Sequence, residues 1–310
     1  MPKVAFLMPA SPIASFYSQV AAFHLALKAL RWGAWEPSLC VTMGSRTPSA
    51  NRDDEFERWR PHVRDVDFTY VTKSCWERLG NWAQVDSTLL LAPQDADVYV
   101  TVDADTLPVS DLEAMLQDVL ECQSIAGVIA HYPPPPVKNV AAWQALANSL
   151  GVKPPECTFS YSLLGEYTSE EVRRAPIYYN GGVVFFARAA FERFLAPYIA
   201  TREKLTGALG EWSDFSGQVA MTFAISEARV PAKTLPMRYN YPNDDQAILL
   251  HPGEIDNVVV FHYLRRQVID RHTIFVNKVG YNAFLGAPLA GTNLAFQSAV
   301  RRIFGTTYPF

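Results

Sequence analysis

The chain alternates short apolar runs with longer amphipathic stretches. "KVAFLMP" near the start reads as a first strand, and the segment after it spaces Phe16, Val20, Phe23, Leu27 and Leu30 by four, three, four and three, one face of a helix. "PSLCVTM" and "DFTYV" predict two further strands. In "QDADVYVTVDADT", residues 94 to 106, five β-branched or aromatic residues, Val98 to Val102, stand between two copies of Asp-Ala-Asp. Polar alternation is missing there, which predicts a short strand buried on both faces, inside a parallel sheet covered by helices. In "PVSDLEAMLQDVLECQ" Ser110 and Glu113 have capping-box spacing, and Leu112, Met115, Leu116, Val119 and Leu120 form one stripe. "IAGVIAHY" is the next strand and runs into Pro133 to Pro136, a stiff loop that either walls a cleft or crosses the surface. Thr168 and Glu171 predict a second capped helix, "IYYNGGVVFF" another strand, and "DNVVVFH" a late one. Strands alternating with helices predict an α/β fold, Rossmann-like, with a mostly parallel central sheet flanked by helices.

The length of 310 residues allows one large domain or two small ones, and 49% hydrophobic residues fit a globular protein. With 27 basic and 31 acidic side chains the net charge of -4 argues against coating nucleic acid and leaves a small-molecule or carbohydrate substrate open. Cys40, Cys75, Cys122 and Cys157 are dispersed, without a CxxC pair, so a reducing compartment is expected rather than a zinc cluster or a disulfide framework. The apolar run in "MPKVAFLMPA" is too short for a signal peptide or a membrane span, so a cytoplasmic location is expected, with a peripheral membrane contact left open. The segment 265–310 differs from the rest: six basic residues against the single acid Asp270 give it a net of +5. Phe296, Val300, Ile303 and Phe304 form an apolar stripe there, either a terminal helix packing on the domain or a basic helix for a membrane surface or partner.

The candidate chemistry depends on position. At about 3.3 Å per residue the two Asp-Ala-Asp copies lie roughly 20 Å apart, at opposite edges of a sheet. Ligands of open α/β sheets bind outside the carboxyl ends of the strands, which selects Asp103 and Asp105 and leaves Asp95 and Asp97 to lead the chain in. Two carboxylates one residue apart hold a divalent ion such as Mn²⁺ or Mg²⁺ while leaving coordination positions for phosphate oxygens. A third Asp-x-Asp, Asp65 and Asp67, shows that the tripeptide alone is no site. His262 closes "VVVFH" as Asp103 closes "VYVTV", which makes it either a third ligand or a structural histidine.

Four segments, in order, resemble the landmarks of GT-A fold glycosyltransferases, closest to the retaining enzymes of family 8, the glycogenin and bacterial galactosyltransferase group. They are "TVDADT", "YYNGGVVFF", "SGQVAMTFAI" leading to "LPMRYNYP", and "VVVFHYL", together spanning residues 101 to 264. The resemblance implies a GT-A domain over residues 1–264 with a helical, basic extension at 265–310. It further implies a hexosyltransferase-type enzyme that moves a sugar from a nucleotide sugar, expected to be a UDP-sugar, to an acceptor hydroxyl with retention. Asp103, Asp105 and His262 are then the metal ligands for Mn²⁺ (or Mg²⁺). Pro9, Ala10 and Ser11, at the end of the first strand, join Asp103, Ala104, Asp105 and Gly181 as donor contacts. Asn180 would lie beside the sugar and Gln218 would face the reacting carbon; the other readings are a strand bent by adjacent glycines and an ordinary helix amide. Where the family carries acids around that glutamine this chain has Gly217 and Val219, so Asp214 is the candidate to replace them. The family's glycine and lysine after the histidine are replaced by "HYLRRQ", which makes Arg265 or Arg266 the expected phosphate contact.

Phe159, Tyr161, Tyr167, Tyr178 and Tyr179 cluster before the asparagine motif and serve either sugar stacking or the core. Two other functions compete. A sugar nucleotidyltransferase would need a glycine-rich basic loop where "PASPIASFYSQ" stands, and a catalytically silent binding or scaffold protein would fit the altered neighbours of Gln218. The acceptor, whether glycan, lipid, protein or small molecule, has no sequence signature here.

Overall fold

The computed structural model describes residues 1–44, 54–72, 74, 75, 77, 83–130, 135–157, 159, 160, 174–205 and 207–310. The capping box of Thr168 and Glu171, Tyr161, Tyr167 and the first two prolines of the proline run lie outside these residues. The chain folds into two units, Met1–Gln117 with Pro236–Phe310 and Asp118–Leu235.

The first unit is built on parallel strands. β1 (Lys3–Ala10) lies between β2 (Glu36–Met43) and β4 (Val98–Val102), and β3 (Asp67–Tyr70) pairs on the far side of β2. All three ladders are parallel, as continuous apolar runs buried on both faces require. Helix α1 (Ala14–Ala29) departs from the expected single apolar face: Tyr17 to His24 are buried on every side, Ser18, Gln19 and His24 included. Its periodicity marked one stripe, but the sheet and helix α2 (Asp54–Trp59) both pack on it. Helix α3 (Ala83–Leu90) packs on β1 and β2.

After β4 the chain makes a turn at Asp103–Thr106 and enters β5 (Thr106–Pro108), a strand too short to register as a pattern. Helix α4 (Glu113–Cys122) follows; Asp111 Oδ1, rather than Ser110, accepts the Glu113 N–H at 2.7 Å.

In the second unit β6 (Ile125–Ile129) pairs antiparallel with β9 (Tyr179–Ala187) and parallel with β10 (Ala232–Leu235). Gly127 makes room for the Tyr179 ring, which a Cβ would meet at 2.9 Å, and the Tyr179 hydroxyl reaches across to the Lys233 carbonyl at 2.8 Å. Tyr178 and Tyr179 are therefore core residues here. Pro135–Val137 form a 3₁₀ turn before helix α5 (Val140–Leu150). A two-residue hairpin, β7 (Phe159–Ser160) with β8 (Arg174–Ala175), and the packed helices α6 (Arg188–Leu205) and α7 (Ser216–Ala228) complete this unit.

The chain then returns to the first unit. β11 (Tyr241–Pro242) pairs with β12 (Val260–His262), which runs antiparallel to β5; α8 (Gln246–Leu250) lies between β11 and β12 in sequence. The basic segment after β12 holds α9 (Lys278–Gly286) and α10 (Gly291–Phe304), with Phe296 and Val300 fully buried. Among the described residues no helix is long and apolar enough to cross a membrane.

Candidate metal centre

The two Asp-Ala-Asp copies have different surroundings. Asp97 Oδ2 accepts the Lys3 N–H at 2.8 Å and Asp95 pairs with the Lys3 ammonium, so this copy clamps the amino end of β1. Asp103 and Asp105 stand at the carboxyl end of β4, the edge that Pro9, Ala10 and Ser11 occupy at the end of β1. There the Ala10 carbonyl accepts the Gly44 N–H at 2.8 Å and the Ser11 carbonyl accepts the Ile13 N–H at 2.8 Å.

A tight turn aims the carboxylates. The Thr106 N–H and hydroxyl both donate to the Asp103 carbonyl, at 3.1 and 2.7 Å, which swings the chain directly into β5. The antiparallel register then sets Thr106 opposite His262, and the Tyr263 N–H donates to the Asp105 carbonyl at 2.9 Å. As a result His262 Nε2 lies 3.6 Å from Asp103 Oδ2 and 3.5 Å from Asp105 Oδ1. One ligand atom from each residue falls within a 4.8 Å cluster.

The protonation pattern suits a cation. Burial holds the His262 imidazole below its ordinary range; Asp103 opposes that shift and Arg265 adds to it. The neutral ring has one N–H, and the Asn240 amide oxygen, 2.9 Å from Nδ1, can only accept it. The Nε2 lone pair is thus turned toward two carboxylates with no proton between them, an arrangement that a divalent ion satisfies and hydrogen bonding does not. Two carboxylate oxygens and an imidazole nitrogen are a donor set that a divalent ion can take. Asp105 is nearly buried, and its second oxygen, Oδ2, is held by the Arg271 guanidinium.

Asn240 and Arg271 were not singled out from the sequence. Asn240 lies inside "LPMRYNYP", without a spacing that ties it to His262; Arg271 reads as one more charge of the basic tail. Replacing Asn240 by Ala is expected to weaken divalent-ion binding by about 10- to 100-fold, because the ring loses the acceptor that fixes its tautomer. An ion titration checks this; Asn240→Asp, which keeps an acceptor, should retain most of the affinity.

The two arginines expected at the phosphate each have a partner within the first unit. Arg265 Nε binds Asp244 Oδ2 at 3.1 Å, and its N–H donates to Asn243 Oδ1 at 2.8 Å. Arg266 lies 3.0 Å from His272 Nε2.

In the second unit Asn180 Oδ1 accepts the Gly182 N–H at 2.9 Å, within the same strand. Gly181 faces the first turn of α7, where a Cβ would meet the Gln218 side chain at 3.5 Å, so these residues are neighbours. Asp214 lies in the 3₁₀ turn, Gly210–Phe215, that leads into α7.

No protein-family model and no curated protein matches the sequence. Among solved structures the chain is similar to the WbbM bifunctional glycosyltransferase in its apo form, with a TM-score of 0.50 and 12% identity over 86% of this chain, which spans 46% of that one. It is also similar to the galactosyltransferase LgtC in complex with donor and acceptor sugar analogs, with a TM-score of 0.49, 15% identity and coverage of 85% of this chain and 87% of that one. A third is mouse xyloside xylosyltransferase 1, with a TM-score of 0.48, 11% identity and coverage of 85% and 97%. At these identities the likeness is one of fold: the chain has the α/β fold of glycosyltransferases, the GT-A type whose family 8 its sequence motifs resemble.

Proposed function

We propose that the protein is a glycosyltransferase that uses a divalent ion, Mn²⁺ or Mg²⁺, to transfer a sugar from a nucleotide sugar, a UDP-sugar, to an acceptor hydroxyl with retention. The observation that carries this reading is the convergence of Asp103, Asp105 and neutral His262 at the carboxyl edge of a sheet with the glycosyltransferase fold. When bound, the ion supplies charge neutralisation for the nucleoside diphosphate leaving group.

The chain's own residues do the rest. Asp103, Asp105 and His262 would hold the ion, with Asn240 fixing the ring. The family resemblance gives Asn180 and Gln218 to the sugar, with Asp214 in place of the family's missing acids. The acceptor oxygen bonds to the anomeric carbon as the bond to the diphosphate breaks, and the departing phosphate takes the acceptor's proton.

Calorimetric titration with a panel of nucleoside diphosphates, with and without Mn²⁺, tests the donor class. Mn²⁺-dependent binding of UDP is the expected result, and binding of none would favour the silent scaffold that Gly217 and Val219 suggest. A product with inverted anomeric configuration would remove the role given to Gln218.

A further inference from the structure

Arg271 stands on a built turn. Its carbonyl accepts the Gln19 amide at 3.1 Å, Asp270 Oδ1 accepts the His272 N–H at 3.0 Å, and the Thr273 hydroxyl donates to the Asp270 carbonyl at 3.0 Å. Gly280, in the first turn of α9, lets the helix come so close that a Cβ would lie 2.2 Å from the Thr273 carbonyl oxygen. The side chain enters the metal centre, where Nη1 holds Asp105 Oδ2. Its Nε is buried with no hydrogen-bond partner.

The charges around this guanidinium do not close on the ion alone. Two carboxylates, one guanidinium and a neutral imidazole leave a single negative charge, so a divalent ion turns the partly buried centre positive. Burying a surplus charge is costly unless a counter-ion accompanies it. The centre therefore holds a cation well only together with an anion, and the unpaired Nε–H of Arg271 is a donor waiting for one. A guanidinium offers its N–H groups as a fork that fits phosphate oxygens.

We propose that Arg271 couples ion binding to diphosphate binding: it weakens the site for the ion alone and supplies a donor to the diphosphate that arrives with it. The proposal deepens the glycosyltransferase reading and rests on it for the identity of the anion. Arg265 and Arg266, engaged by Asp244 and beside His272, are not needed for this role.

The test measures Mn²⁺ affinity of the full chain by electron paramagnetic resonance of the free ion, alone, with inorganic pyrophosphate and with UDP, for the native protein, Arg271→Gln and Arg271→Lys. In the native protein both anions should tighten Mn²⁺ binding by about 10- to 100-fold, the worth of charge-assisted hydrogen bonds. Arg271→Gln should bind Mn²⁺ alone at least as tightly as the native protein and lose most of the enhancement by either anion, with Arg271→Lys between them. A thermal melt confirms that each variant is folded. Weakened Mn²⁺ binding by folded Arg271→Gln without anion would reduce Arg271 to a prop for Asp105 and overturn the proposal, as would an enhancement factor equal to the native one. Enhancement by pyrophosphate but not by UDP would sink the UDP-sugar reading and leave the role of Arg271 standing; no enhancement by either anion in the native protein would overturn both.

Discussion

Asp105→Asn is expected to abolish Mn²⁺-dependent binding of UDP, whereas Asp97→Asn should leave it intact. The two residues sit in identical tripeptides at opposite ends of β4. Asp105 puts one oxygen toward His262 Nε2 and the other on Arg271, so an amide there weakens a metal ligand and leaves a partly buried guanidinium without its counter-charge. Loss of a direct ligand should exceed the 10- to 100-fold penalty typical of supporting partners, so a fall of more than about 100-fold is the expected scale. Asp97, by contrast, accepts the backbone N–H of Lys3, which an amide oxygen accepts as well. Calorimetry on both variants decides the matter. Equal loss in the two would mean that the functional edge of the sheet has been misassigned.

Much of this distinction is legible in the sequence, because a strand of known rise with acids at both ends has only one edge at which parallel sheets bind ligands. His262 is legible for the same reason, as the polar residue that ends an apolar run. The supporting residues are not. Asn240 reaches His262 from 22 residues away and Arg271 reaches Asp105 from 166 residues away, and no periodicity encodes either approach. β5 has three residues, too few for alternation to show, yet its register with β12 is what brings the imidazole to the carboxylates. The all-round burial of α1 is also hidden, since Ser18, Gln19 and His24 read as a solvent face until a second layer covers them. The basic segment after residue 264 read as either a helix packing on the domain or a membrane or partner surface, and nothing in its charge pattern marks Arg271 as the residue that holds Asp105.

Phe296→Ala is expected to destabilise the first unit by about 3–5 kcal/mol, the usual cost of emptying a buried phenylalanine site. The ring is fully buried in α10 and meets three aromatic neighbours: Tyr263 stacked at 4.7 Å, and Phe261 and Phe284 at 5.6 Å each. Phe261 and Tyr263 flank His262 in the sequence, and side chains alternate along a strand. The two aromatics that grip α10 therefore present the imidazole on the opposite face, toward Asp103 and Asp105. The Tyr263 hydroxyl also donates to the Ala104 carbonyl at 3.4 Å, inside the aspartate turn. Removing the Phe296 ring should for this reason lower the melting temperature by roughly 10 °C and weaken ion binding as well, while Phe296→Leu, which refills most of the space, should lose little of either. Circular-dichroism melts and the Mn²⁺ titration measure both quantities. A Phe296→Ala protein that melts with the native one would make α10 a surface appendage; one that melts early and keeps native ion affinity would show that His262 is held by β5 and Asn240 alone.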